Sequence, residues 1–316
     1  MKNFNVFRKI RTSITKLILP FLYKILQLLR GNTRAINFLN DKKINANNAY
    51  NFQESIEKLL KNKKLIGMDV GAQGGFNSDD FFPKKYNKYF QSILIDPLNN
   101  SLKNEEGKHI VNKGLWSSKG PRKLYVLNKR PGSSSMFEPD KESLTIYGFK
   151  EKDFHLFDFA KTEMVECDTL SSILNGINIK SLDYLKIDTQ GAELEILKGL
   201  GSYRPLMIKC EVQIFPMYKN VPSWTEITSF LYKLGYMVSD WKKIGSHATR
   251  TPVEMDMVFI PNFSIDSGKK LIMEKEKVFI SLMLISGQIK LLKKISKALN
   301  LGHSEYYIKI KDKYFN

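Results

Sequence analysis

The sequence predicts an α/β protein built on a doubly wound, mostly parallel sheet, and three observations carry that expectation. Between residues 51 and 262, short apolar runs alternate with segments of helical spacing, the order that parallel strands and crossover helices produce. The first run ends in "MDVGAQGG", an acid followed by three glycines within five positions, a turn that lets backbone approach a ligand closely. A length of 316 residues, 42% of them hydrophobic and 26% charged, is enough for one sizeable core and argues against disorder.

Each element follows in order. Residues 31–50 are polar and Asn-rich and read as a connection. "FQESIEKLLKN" has helical spacing, and "KLIGMDV" is the first strand. "QSILIDP" is the second, reached through an aromatic-rich stretch that should cover it. "HIVNKGL" and "RKLYVLN" give a third and a fourth, parted by the turn "SSKGP". Residues 128–163 read as a long irregular section, with the loop "PGSSS" and the aromatic run "YGFKEKDFHLFDF". Spans of that length are commonly functional. Regularity returns with the strand "SLDYLKID" and the helix "GAELEILKG", closed by a glycine. "PLMIKCEVQI" is a long apolar strand, "SWTEITSFLYKLG" a helix stopped at Gly235, and "YMVSDW" and "EMDMVFIP" close the series. The final stretch is helical and amphipathic, with Lys290, Lys293, Lys294 and Lys297 near one face, and reads as an appendage. The expected divisions are a basic amphipathic extension over 1–50, the sheet domain over 51–262 and a basic helical extension over 263–316.

The net charge of +18 sits mainly at the two ends. Residues 1–30 hold seven Lys or Arg and no acid, and residues 264–316 hold eleven basic and five acidic residues. The centre therefore carries no strong nucleic-acid signal. The stretch "RKIRTSITKLILPFLYKILQLLRG" is interrupted by Pro20 and Lys24 and is followed by no small-residue cleavage site. Nothing in the chain approaches the roughly 18 apolar residues of a membrane span. The stretch reads as a basic amphipathic helix, either lying on an anionic membrane surface or packed on its own domain or a second subunit. Cys167 and Cys210 lie in strand-like segments without metal or disulfide spacing, which suits the cytoplasm, at most peripheral to its membrane.

In open α/β sheets ligands bind beyond the carboxyl ends of the strands. Those exits are Asp69–Gly75, Asp96–Pro97, the residues after Val111, Asp188–Glu193 and Glu211, and each carries an acid or a glycine turn. Gly71, Gly74 and Gly75 do not have the G-x-G-x-x-G spacing of a dinucleotide loop, and no Gly-Lys-Ser/Thr follows. An acid before the first glycine repels phosphate and suits a cationic ligand end. Asp96, one strand later, can accept both hydroxyls of a ribose. A charged nucleoside without phosphate fits this pattern, and S-adenosylmethionine is such a molecule.

"MDVGAQGGFNS", "ILIDP", "LKIDTQGAELEILKG" and "IKCEVQIFPMY" resemble, in order, the blocks of FkbM-type S-adenosylmethionine-dependent methyltransferases, over about residues 64–262. The most specific block is K-I-D-x-x-G-x-E-x-x-x-L-x-G, matched by Lys186, Ile187, Asp188, Gly191, Glu193, Leu197 and Gly199. Gln73 stands where the first block usually has Asn, and Asp96-Pro97 where the second usually has Glu-Pro. The resemblance implies the class I methyltransferase fold, a Rossmann-like sheet of seven strands with the last antiparallel. It implies that Asp69 and the Gly71–Gly75 turn, Gln73 included, hold the amino-acid end of the donor and that Asp96 holds the ribose. The backbone near Asn112–Leu115 would border the adenine.

A hydroxyl acceptor must shed a proton, so a base or a metal should stand close. Asp188 is the first candidate, Glu211 the second, and His247, in the loop "KIGSHATRT", the third. Asp188 could instead cap the following helix, and Glu193 is expected to stabilise that helix's first turn. The Asp188–Glu211 pair offers two carboxylates to a divalent cation, which without a third ligand defines no site. The leading expectation is O-methylation of a sugar hydroxyl in a surface polysaccharide, lipopolysaccharide or related glycan, the sugar resting on the family alone. The alternatives are an inactive binding protein that kept the fold, and a nucleic-acid methyltransferase. The latter usually shows an Asn/Asp-Pro-Pro-aromatic block where this chain has "DTQGAE".

Overall fold

The structure, a computed structural model, describes residues 52–98, 108–244 and 252–303. The amphipathic stretch before residue 51 and the loop holding His247 lie outside them. Ten strands occur among the described residues: β1 (Leu65–Val70), β2 (Phe90–Ile95), β3 (Lys108–Val111), β4 (Gly114–Leu115), β5 (Gly120–Leu127), β6 (Phe159–Asp168), β7 (Tyr184–Ile187), β8 (Met207–Gln213), β9 (Tyr236–Ile244) and β10 (Glu254–Pro261). The helices are α1 (Gln53–Leu60), α2 (Leu170–Gly176), α3 (Glu193–Lys198), α4 (Trp224–Lys233), α5 (Asp266–Glu274), α6 (Glu276–Ile285) and α7 (Ile289–Leu299).

Seven strands form the main sheet in the order β3-β2-β1-β7-β8-β10-β9. Neighbours from β3 to β8 run parallel, and β10 inserts antiparallel between β8 and β9. This is the Rossmann-like methyltransferase architecture. The chain leaves β1 outward through β2 and β3, then returns to the other side of β1 with β7. The β1–β7 seam is therefore the switch point of the sheet.

Three departures from the sequence reading concern the middle of the chain. The fourth expected strand, β5, does not join the main sheet; it pairs antiparallel with β6, and β4 pairs parallel with β6, in a separate three-stranded sheet. The stretch expected to be irregular thus ends in regular structure, because β6 begins at Phe159. Its first half is mostly exposed on both faces, so no period-2 hydrophobic signal marks it. Helix α2 was also unanticipated. It has only seven residues and starts where the Thr169 side chain accepts the Ser172 N–H at 3.1 Å.

Each face of the sheet buries its own apolar layer. Met68, Val70, Leu185, Ile187, Ile208, Cys210, Met257 and Phe259 pack against α2, α3 and α4. Leu65, Tyr184, Met207, Val258 and Ile260 face the other way, against α1 and the C-terminal helices. Helix α6 is buried from Phe279 to Ile285, so these C-terminal helices complete one layer of the main core. Lys290, Lys293, Lys294 and Lys297 of α7 are exposed. No helix among the described residues is long and apolar enough to cross a membrane.

The second face changes character toward the carboxyl ends of its strands. Register places Asp69 beside Lys186 and Lys186 beside Lys209, while Glu211 faces Asp256 and Gln213 faces Glu254. Side chains two residues apart on a strand share a face. Asp188, Glu211, Gln213, Asp256 and Glu254 therefore extend the apolar layer as a polar belt across three strands, β7, β8 and β10.

Candidate active site

A cleft with about 680 Å³ of empty space, part of it open to solvent, lies over the carboxyl ends of β1, β2, β3 and β7. Gly71 and Gln73 wall it after β1, Asp96 and Leu98 after β2, Lys113–Leu115 after β3, and Asp188–Gln190 after β7. Leu124 and Met136 supply apolar wall, and Pro131 to Ser134 form a roof. Its size and its mixture of apolar wall with few polar groups suit a small organic ligand.

The glycine turn is shaped by close approach. Gly71 has φ +78, and a Cβ there would fall 1.9 Å from the Asp188 carbonyl oxygen. Only hydrogen fits between the β1 and β7 exits. The Gly71 N–H donates to the Ile95 carbonyl at 2.9 Å, which ties the turn to β2 as well. Gln73 reaches up to the roof: its Oε1 lies 2.7 Å from where a Gly132 Cβ would stand. Asp96 Oδ1 accepts the Leu98 N–H at 2.8 Å, fixing its carboxylate at the rim.

Asp69 is the main correction to the sequence reading. Expected to meet a ligand directly, it is fully buried and absent from the cavity wall. Lys186 Nζ, 2% exposed, donates to Asp69 Oδ1 at 3.1 Å, and the Asn77 N–H donates to Oδ2 at 3.2 Å. Burial pushes Asp69 up to about 6, against the pull of Lys186 and Asn77. Burial also works against the Lys186 charge, but Asp69, Asp188 and Asp79 outweigh it and hold the ammonium above its ordinary range. Asp69 thus braces the seam from beneath. Gly75 (φ +93) and the exposed Asn112 also lie off the wall; their neighbours Gly71 and Lys113–Leu115 reach it instead.

Asp188 is on the wall, with Oδ2 at 3.6 Å from Lys186 Nζ. It does not cap α3, whose N-cap is Ala192 without a side-chain bond. The loop is closed by Glu193, which accepts from the Thr189 N–H at 2.9 Å and the Thr189 hydroxyl at 3.0 Å. Glu211 is not on the wall. It stands behind Gln190, whose Nε2 donates to Glu211 Oε1 at 2.8 Å and to Asp188 Oδ1 at 3.2 Å. Gln190 itself sits at φ +58, held by Ser135 Oγ donating to its carbonyl at 2.6 Å and by the Tyr218 hydroxyl 3.1 Å from its Oε1. Such a conformation is costly for a residue with a Cβ and persists where surroundings impose it.

Four side chains here escaped the sequence reading as site groups. Lys209 is shared between Asp79 and Asp256, each at 2.6 Å. Gln190 bridges the two expected carboxylates. Tyr218 anchors the roof, its hydroxyl donating to the Ser133 carbonyl at 2.6 Å. Glu254, 9% exposed, lies diagonally across from Glu211. The alternation E-M-D-M in β10 beside K-C-E-V-Q in β8 was the available signal, since it sets acids of two adjacent strands on one face. Among the described residues no group of three or more His, Cys, Asp or Glu is arranged to hold a metal ion.

Comparison with known proteins adds one finding. The family model for the methyltransferase FkbM domain matches residues 69–238, more than half of the chain and all the strand exits that wall the cavity. No curated protein matches the chain.

Proposed function

The chain belongs to the FkbM methyltransferase family, and from that premise we propose that it is an S-adenosylmethionine-dependent O-methyltransferase acting on a sugar hydroxyl of a surface polysaccharide, lipopolysaccharide or related glycan. The observation that supports it most is the cavity at the switch point, which combines a carboxylate after β2, a glycine turn after β1 and an apolar wall. In turn these suit a ribose, an amino-acid end and an adenine ring.

When bound, the donor supplies a methyl group already activated on a sulfonium. The chain does the rest. The Asp96 carboxylate accepts from the ribose hydroxyls, while the Gly71 main chain lets the amino-acid end approach without a Cβ in the way. Lys113–Leu115, with Leu124 and Met136, border the adenine, and the Pro131–Ser134 roof excludes water. Holding the acceptor oxygen in line at about 3 Å supplies much of the rate. Asp188 is the carboxylate on the wall that can meet the acceptor proton, with Glu211 behind it. A polyanionic acceptor would meet the Asp188 carboxylate on the cavity wall, which favours a neutral hydroxyl over nucleic acid. The exposed lysines of α7 offer a basic strip to an anionic membrane bearing a lipid-linked acceptor.

Titration calorimetry tests the donor site. S-adenosylmethionine is expected to bind, and Asp96→Ala to weaken it by about tenfold or more, the loss of charge-assisted hydrogen bonds. Undiminished affinity in the variant would remove the cavity from the reading. Transfer of labelled methyl into cell-envelope glycan fractions then identifies the acceptor.

A further inference from the structure

Among the described residues, the belt beside the cavity holds more acid than its cations neutralise. Lys186 is already shared between Asp69 and Asp188, and Lys209 between Asp79 and Asp256. Glu211 and Glu254 remain. They project from adjacent antiparallel strands on the same face, in a diagonal relation that leaves side chains within reach of each other. Among the described residues the Glu211 carboxylate has only the neutral Gln190 amide as a hydrogen-bond donor. The Glu254 carboxylate has no hydrogen bond among the described residues, although the residue is 9% exposed. The Gln213 Nε2 opposite it in register is likewise buried and unpartnered.

Among the described residues, the remaining groups facing the pair do not supply a cation in contact. Asp188, Asp256 and Glu193 add negative charge. Arg130 acts on Glu254 from a distance and rests over the Phe149 and Phe157 rings at 5.1 and 4.8 Å. The Tyr147 hydroxyl donates to the Phe215 carbonyl, and the Tyr218 hydroxyl to Ser133. Among the described residues neither the buried Glu254 carboxyl nor the partly buried Glu211 carboxyl touches a cation, so the two cannot both ionise cheaply. Burial and then Asp188 push Glu211 well above the carboxylate range, and burial and Asp188 push Glu254 up to about 7. The two carboxyls therefore titrate as a unit, above the ordinary carboxylate range.

We infer that Glu211 and Glu254 form a proton-sharing carboxyl pair that serves as the proton reservoir behind Asp188, with Gln190 as the positioning residue that fixes Glu211 against Asp188 on the cavity wall. The inference deepens the donor reading above and rests on it. Methylation of a hydroxyl breaks one O–H and one S–C bond and forms one O–C bond. The S–C electron pair returns to sulfur, and one proton is left over. The pair gives up its own proton to solvent when positive charge enters the adjoining cavity. Asp188, on the wall, receives the acceptor's proton and yields it to the pair as that charge is consumed. The site then keeps the same net charge before and after transfer.

Calorimetry in buffers of different ionisation enthalpy reads this without an acceptor. At pH 7 the full-length protein should release more protons on binding S-adenosylmethionine than on binding S-adenosylhomocysteine, which lacks only the charged methyl. A one-unit fall in a group titrating near 7 gives a difference of about 0.4 proton per ligand bound. Glu254→Gln and Glu211→Gln should each shrink that difference toward zero while donor binding persists. Equal release for the two ligands in the native protein, or an undiminished difference in a folded variant, overturns the pair and leaves the donor site standing. A protein that binds neither ligand overturns the donor reading and the pair with it.

Discussion

Replacing Gly71 with Ala sets two separable costs against each other, because Gly75 in the same turn shares only one of them. Both glycines have positive φ, +78 and +93. A Cβ in that region costs roughly 1–2 kcal/mol. At Gly75 nothing lies within 4 Å of the added methyl, so that cost stands alone. At Gly71 the methyl falls 1.9 Å from the Asp188 carbonyl oxygen. Ordinary contact begins near 3.4 Å, so the β1 and β7 exits must part by about 1.5 Å. They sit at the centre of a parallel sheet and are pinned by Gly71 N–H to Ile95 O and Asp188 N–H to Val70 O. Overpacking against such a frame adds roughly 1–3 kcal/mol. Gly71→Ala should therefore lose about 2–5 kcal/mol in urea unfolding, against about 1–2 for Gly75→Ala. Donor binding should fail only in Gly71→Ala, because that seam is also the cavity floor. Equal losses in the two variants, or native affinity in Gly71→Ala, would refute the steric reasoning.

Two further outcomes follow from the charged belt. Lys186→Met strands the buried Asp69 carboxylate and should cost about 3–5 kcal/mol, whereas Lys186→Met with Asp69→Leu should recover much of it; a double variant no better than the single would show that the pair is not the source. Glu254 ionises at about 7 in the folded protein against an ordinary 4.5, so its contribution to stability is present below about 4.5 and lost as pH rises through about 7. Between pH 4.5 and 8 the native protein should thus lose roughly 3 kcal/mol relative to Glu254→Gln in urea unfolding. Parallel pH profiles for the two proteins would contradict the assignment.

The sheet was legible because its strands, buried on both faces, read as apolar runs between glycine turns. The cavity was legible as a set of strand exits: Gly71, Asp96, Leu115 and Asp188 all reach its wall. The role of Asp69 was not, since its burial depends on a partner 117 residues away. The sequence shows an acid before a glycine turn; only register shows that it points under the sheet toward Lys186. The same holds for Glu254, which opens a strand and looks solvent-bound until β8 supplies Glu211 and Gln213 across the ladder. β6 was hidden for the opposite reason. Its outer half is exposed, so polar and apolar residues follow no period there.

Helix α6 has a consequence for how the protein is made. It packs on α1 and covers the face of the sheet that carries Leu65, Tyr184 and Met207, yet it lies after the last strand. A ribosome adding about 5–20 residues per second needs seconds more to deliver it once β10 has been synthesised. Throughout that interval the part of the sheet's apolar face that α6 covers, beyond the reach of α1, is exposed. Chaperone capture during synthesis and insolubility of chains truncated near residue 262 are the expected cellular signatures of that delay.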